Sequence, residues 1–228
     1  MRSRLRDGGT IDRVVVLDLD DTLYLERDYV ASGFDAVGRW ARGAIGTEDF
    51  GTRLRRIFAD GVRGRIFDDA LEEAGIASSP ALVARMVAVY RQHRPAIALA
   101  PDAARLLARR DRGTRYALIT DGALDSQRRK IRALGLMRHL DVAICTDRWG
   151  RGDWKPSPRA FRAIESTFRL PATRFTYVGD NPAKDFDAPA ALGWGAVWIR
   201  RQGKLERTDP PTSFAAPRAI TTLDELDA

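Results

Sequence analysis

The chain has 228 residues, 44% of them hydrophobic and 30% charged, enough for a packed core in one generous domain or a core with a smaller insert. No apolar run approaches the roughly 20 residues that cross a bilayer, and the basic start MRSRLRDGGTIDR is not followed by the apolar stretch of a signal peptide. Cys145 is the only cysteine, which excludes an internal disulfide and suits a reducing cytoplasm, the expected location.

The net charge of +7 invites an anionic partner, but composition accounts for it. Lysine occurs only at 130, 155, 184 and 204 among 38 basic residues, so Arg replaces Lys nearly everywhere, and acids are interspersed throughout. Nucleic acid and membrane are not expected partners; a small phosphorylated metabolite is.

Along the chain, Val14–Leu19 reads as the first buried strand. The segment up to Pro101 then shows no strand. Helical patterns cover Asp28–Ala44, Glu48–Asp60, Phe67–Ala74 and Pro80–Gln92, separated by Gly, Ser and Pro, with hinges at Tyr24–Arg27 and Arg94–Pro101. Afterwards strands and helices alternate. The strands are Tyr116–Thr120, Val142–Cys145, Phe175–Gly179 and Ala196–Ile199. The helices are Asp102–Arg110, Leu124–Leu134, Pro158–Phe168 and Pro182–Leu192. Gln202–Pro217 reads as loop, and Ala219–Thr222 as a short edge strand. The expectation is an α/β protein: a Rossmann-like parallel sheet formed by 1–23 and 99–228, with an all-helical insert at 24–98.

Chemistry collects at the strand ends. The first strand runs into DLDDTLY, placing Asp18, Asp20 and Asp21 within four residues, where open α/β sheets bind ligands. One Asp fits a turn or helix cap; three followed by Thr-Leu fit it poorly. Two carboxylates that close repel unless a cation or a proton intervenes. Thr120 ends the second strand before Asp121-Gly122, which as a lone feature is turn chemistry. In DWKPSPRAF, Pro156 holds Lys155 extended, and Ser157 can cap a helix beginning at Pro158. In YVGDNPAKDF, Asp180 falls at the strand tip and Asp185 in the first turn of a helix that Asn181 caps.

These four segments, in this order, resemble the haloacid dehalogenase superfamily, and in particular its aspartate-nucleophile phosphatases; the resemblance covers about Val14 to Ile199. It implies an Mg2+-dependent phosphatase acting on a small phosphomonoester, a sugar phosphate or nucleoside monophosphate. Asp18 would be the nucleophile and Asp20 the acid and base. Thr120, Asp121 and Lys155 would hold the phosphoryl group. Asp18, Asp180 and the main-chain carbonyl of Asp20 would hold the metal, with Asp185 supporting it. The helical insert matches the position of the family's cap, which sets specificity. Asp20 argues against dehalogenation, which needs no acid two residues after the nucleophile. A phosphomutase on the same core, or a non-catalytic phosphometabolite-binding protein, remains the alternative.

Three weaker signals have plainer explanations. Arg53, Arg55, Arg56, Arg63 and Arg65 read as a solvated helix face, Trp149 and Trp154 as loop packing, and Arg151-Gly152-Asp153 as chance.

Overall fold

The computed structural model describes residues 10–109, 113–205 and 217–226. It divides into two compact units: one holds the described residues up to Glu26 and from Ala98 onward, the other Arg27–Ile97.

The first unit is built on a six-stranded sheet. The strands are β1 (Arg13–Leu17), β2 (Thr114–Thr120), β3 (Val142–Cys145), β4 (Phe175–Gly179), β5 (Gly195–Ile199) and β6 (Arg218–Ile220). All pairings are parallel, in the order β3-β2-β1-β4-β5-β6. The reversal of strand order between β1 and β4 is where such sheets bind ligands. The register sets Leu17 beside both Leu118 and Val178, so the residues leaving β1, β2 and β4 emerge together.

β1 is Val-rich and nearly without exposed surface, as a strand covered on both faces requires. On one face, Val14, Val16, Phe161, Phe175, Tyr177 and Trp194 form a continuous core. Helix α7 (Arg159–Phe168) contributes Phe161, Ile164 and Phe168 from one stripe, and Phe161 meets the ring of Tyr177 edge-on at 5.1 Å. The remaining helices of this unit are α5 (Pro101–Ala108), α6 (Leu124–Ala133) and α8 (Asp187–Ala191). Of the helix expected over Asp102–Arg110, Arg110 lies outside the described residues, as does 206–216 of the expected loop.

The expected helix over Pro182–Leu192 is corrected. Asn181 turns back on itself: its side-chain oxygen accepts from Ala183 N at 3.0 Å, and its main-chain N–H donates to Asp185 Oδ2 at 2.8 Å. That local competition closes a turn over 182–184, and regular helix begins only at Asp187. Asp185 therefore sits in the turn before α8 rather than in its first helical turn. β1 stops one residue before Asp18, because the chain bends there into a turn. Thr22 N and Leu23 N both bond back to Leu19 O, and Asp21 takes a left-handed φ of 53°.

The second unit is all-helical: α1 (Glu26–Ile45, of which Glu26 belongs to the first unit), α2 (Phe50–Ala59), α3 (Ile66–Glu73) and α4 (Pro80–Gln92). Ser79 caps α4 by accepting from Leu82 N, with Pro80 at its first position. Gly38 and Gly51 let α1 and α2 touch backbone to backbone; a Cβ on Gly38 would lie 2.8 Å from Gly51 N. The insert arginines are paired: Arg53 and Arg56 with Glu73, Arg55 with Asp35, Arg65 with Asp69, while Arg63 bonds main-chain oxygens and lies over Phe58. Trp154 donates to Asp147 at 3.2 Å and Trp149 lies under Arg159, which makes both loop-packing residues. Among the described residues no helix is long and apolar enough to cross a membrane.

Candidate active site

A cleft in the first unit is lined by Asp18, Asp20, Asp21, Glu26, Thr120, Asp121, Asp180, Asn181, Lys184 and Lys204. Its walls are the chain segments leaving β1, β2, β4 and β5. Of the seven residues to which the resemblance gives a role, five line it, and Lys155 and Asp185 lie behind, bonded to each other and, through Lys155, to Asp18.

The chain leaving β1 sends Asp18 and Asp20 into opposite surroundings. Asp18 is buried against Lys155, whose Nζ donates to Asp18 Oδ1 at 2.6 Å, to Asp185 Oδ1 at 2.7 Å and to Tyr177 Oη at 2.9 Å. One ammonium thus serves two carboxylates, and Asp185 has further donors besides. It also accepts from Asn181 N and from the Tyr177 hydroxyl at 3.1 Å. Burial opposes ionisation of both acids. At Asp185 burial is the largest single effect, but the charges of Lys155 and Lys184 with the bonds from Lys155 and Asn181 N together outweigh it and hold the carboxyl below its usual range. At Asp18 burial wins, with the negative charge of Asp185 adding to it, and the pKa rises to about 8. Burial and the charge of Asp185 likewise lift Asp180 to about 6. Burial would depress the Lys155 ammonium, but Asp18 and Asp185 more than compensate and hold it well above the usual lysine range.

Asp20 is held differently. Lys130 donates to Oδ1 at 2.7 Å, Gln127 to Oδ2 at 2.8 Å, and the Tyr24 hydroxyl to Oδ1. Burial works against its charge, yet Lys130, Tyr24 and Gln127 together keep the carboxyl below its usual range. Glu26, 3.8 Å from Lys130, has no such set of donors; burial and the charge of Asp20 raise it to about 7. Asp21, the third acid of the run, ties the turn: its carboxylate accepts from Glu26 N at 2.9 Å and Leu205 N at 3.2 Å.

At the end of β2, Thr120 accepts from Gln127 at 2.6 Å. The Asp121 carboxylate accepts from Thr146 Oγ1 at 2.6 Å and from Lys155 N at 3.2 Å, and lies 3.7 Å from Lys184. An anion would be repelled by that carboxylate. What Asp121 does is fix the loop that carries Lys155, whose bond to Pro156 is cis.

Carboxylate oxygens of Asp18, Asp180 and Asp185 lie within 4.8 Å of one another, all buried. Such hard, acceptor-only donors suit Mg2+ or another oxygen-seeking divalent cation. The raised Asp18 and Asp180 fit the same conclusion, since protons here balance charge that a cation would balance instead. Lys204 meets part of that need at Asp180, at 2.8 Å.

Sequence reasoning alone overlooks Tyr24, Glu26, Gln127, Lys130, Tyr177 and Lys204. For the lysines a signal was present: a chain that uses Arg almost everywhere keeps Lys at four positions.

A family model described as haloacid dehalogenase-like hydrolase matches residues 13–193. Phosphoserine phosphatase of Thermus thermophilus is 36% identical over 66% of this chain; the chain spans 59% of that relative's length. Glyceraldehyde 3-phosphate phosphatase of Methanocaldococcus jannaschii is 27% identical over 93% of this chain and 94% of its own. Among solved structures, a 2-haloacid dehalogenase from Pseudomonas syringae superposes with a TM-score of 0.62 at 24% identity, covering 95% of this chain and 97% of the other, a likeness of fold.

Proposed function

The chain belongs to the haloacid dehalogenase-like hydrolases, and on that premise we propose that it is an Mg2+-dependent phosphatase of a small phosphomonoester, forming an aspartyl phosphate at Asp18. The observation that carries this reading is the pairing of opposites two residues apart. Asp18 is locked on Lys155 beside two further acids, while Asp20 is held by its own lysine across the same cleft. The phosphatase names of the two relatives support the same reaction class.

Asp18, Asp180 and the main-chain oxygen of Asp20, with Asp185 behind, would hold a divalent cation, which would supply positive charge to balance that of the phosphoryl group. The chain does the rest. Asp18 Oδ forms a bond to phosphorus as the ester P–O bond breaks, and the departing oxygen takes the proton that Asp20 gains once the phosphoryl dianion, a like charge entering the cleft, raises its pKa. Asp20, now a carboxylate, removes a proton from water, whose oxygen attacks phosphorus. The bond to Asp18 breaks, phosphate leaves and both acids are restored. Lys155 and the Thr120 hydroxyl hold phosphoryl oxygens, and Asp121 contributes through its main-chain N–H rather than its carboxylate. The helical unit Arg27–Ile97 is the cap that selects the ester; sugar phosphates and nucleoside monophosphates are the favoured classes.

The test is phosphate release from a panel of phosphorylated metabolites, with and without Mg2+, beside Asp18→Asn. Turnover that both changes abolish supports the reading. Conversion to a phosphorylated isomer without phosphate release replaces it with a mutase. Turnover surviving Asp18→Asn defeats it.

A further inference from the structure

All four lysines of this arginine-rich chain end on carboxylates of one site: Lys155 on Asp18 and Asp185, Lys204 on Asp180, Lys184 near Asp121 and Lys130 on Asp20. Lys155 belongs to the recognised motifs. Lys130 does not, and its surroundings are the most complete. It lies on α6 with its side chain 5% exposed, one helical turn after Gln127, which is also buried. Residues three apart share a helix face, so both reach the same neighbour. Lys130 takes Asp20 Oδ1 at 2.7 Å; Gln127 takes Asp20 Oδ2 at 2.8 Å and the Thr120 hydroxyl at 2.6 Å. The Tyr24 hydroxyl donates to Oδ1 as well. Both oxygens of one carboxylate are thus tied to one helix, and the same amide joins that carboxylate to Thr120.

We propose that Lys130, seconded by Gln127, is the positioning residue of the reaction, fixing the Asp20 carboxyl where it meets the leaving oxygen. The inference rests on the phosphatase reading above. A buried lysine is costly unless it is paired, and a purely structural position would be filled more cheaply by an apolar residue. The ammonium also suits the place better than the guanidinium used elsewhere in the chain. It is a compact point charge that can end on one oxygen and leave room for a second donor on the other.

The consequence is selective. Departure of an alkoxide needs a proton from Asp20; departure of an acidic phenol such as p-nitrophenol does not. The experiment compares kcat/KM of Lys130→Met and the parent protein, in Mg2+, on an alkyl phosphate that the parent cleaves and on p-nitrophenyl phosphate. The expected result is a loss of about a hundredfold on the alkyl ester, the scale of general acid catalysis, with the aryl ester nearly unaffected. In an Asp20→Asn background the same substitution should cost nothing further on the alkyl ester. Equal losses on both esters, or no loss on either, overturn the inference and leave the phosphatase reading standing. A parent protein for which no cleaved phosphate ester can be found overturns both. Should Lys130→Met not fold, judged by circular dichroism, Gln127→Met removes the second tie and leaves the charge, and the same selective loss is expected; an equal loss overturns the inference there too.

Discussion

Asp18 and Asp20 are two residues apart and could have been interchangeable. The structure separates them by what each acid is given: one shared ammonium for Asp18 among further carboxylates, three donors of its own for Asp20. Asp18 consequently carries a penalty for being ionised without a cation, since its pKa stands at about 8. Replacing it by Asn removes that penalty while keeping an oxygen for Lys155. Asp18→Asn is expected to lose at least about a thousandfold in turnover. In EDTA above pH 8 it should melt higher than the parent, at roughly 2–4 °C for each kcal/mol regained in a chain of this size. Phosphate release and thermal melting check the two halves; a variant that melts lower contradicts the electrostatics described for Asp18. Asp18, Asp20, Lys155 and Asp180 were legible in the sequence because each is read from short local patterns. Tyr177, Gln127 and Lys130 were not, because their roles depend on which strand or helix packs beside β1, and no local pattern states that.

At the scale of elements, the site is assembled from strand tips. The alternation of apolar runs with helical periods sufficed to foresee a parallel sheet, and every expected strand is present, Val142–Cys145 and Phe175–Gly179 as expected and the others with shifts of one or two residues at their ends. What failed was the helix after β4. The sequence Asn-Pro reads as cap and first turn, but the Asn side chain and Asp185 satisfy the local N–H groups between themselves and postpone the helix. That turn places Asp185 tightly against Gly179, where a Cβ would lie 2.5 Å from Asp185 Oδ2 and 2.9 Å from the Tyr177 ring. Gly179→Ala must therefore push Asp185 away from Lys155 and from the acid cluster. Loss of such a supporting group weakens metal sites by about 10- to 100-fold. Calorimetric titration with Mg2+ should show a drop of that order with the fold intact; unchanged affinity would mean that Asp185 takes no part in holding the ion.

At the scale of the whole molecule, a net charge of +7 conceals an acid-rich centre. Four arginines of the helical unit, Arg53, Arg55, Arg56 and Arg65, pair with neighbouring acids, so composition says little about the ligand, while the few lysines say much. The acid cluster makes stability depend on pH in a direction that can be worked out. Asp180, Glu26 and Asp18 bind protons in the folded protein up to about pH 6, 7 and 8, against 3.8 for an ordinary Asp and 4.5 for an ordinary Glu. Between the ordinary and the raised values the folded state holds protons that the unfolded state has released, so stability falls as pH rises. The contribution is full below the ordinary values and lost once pH passes about 8. Asp20 and Asp185, held low while the cleft holds no substrate, are ionised in both states across pH 6 to 8 and add no slope there. Without metal, the melting temperature should therefore fall from pH 6 to pH 8. Mg2+ needs the same carboxylates deprotonated, so its binding strengthens over that interval. Thermal melts at both pH values, in EDTA and in excess Mg2+, should show a metal-induced rise that is small at pH 6 and large at pH 8. A rise of equal size at both would place the ion away from Asp18 and Asp180.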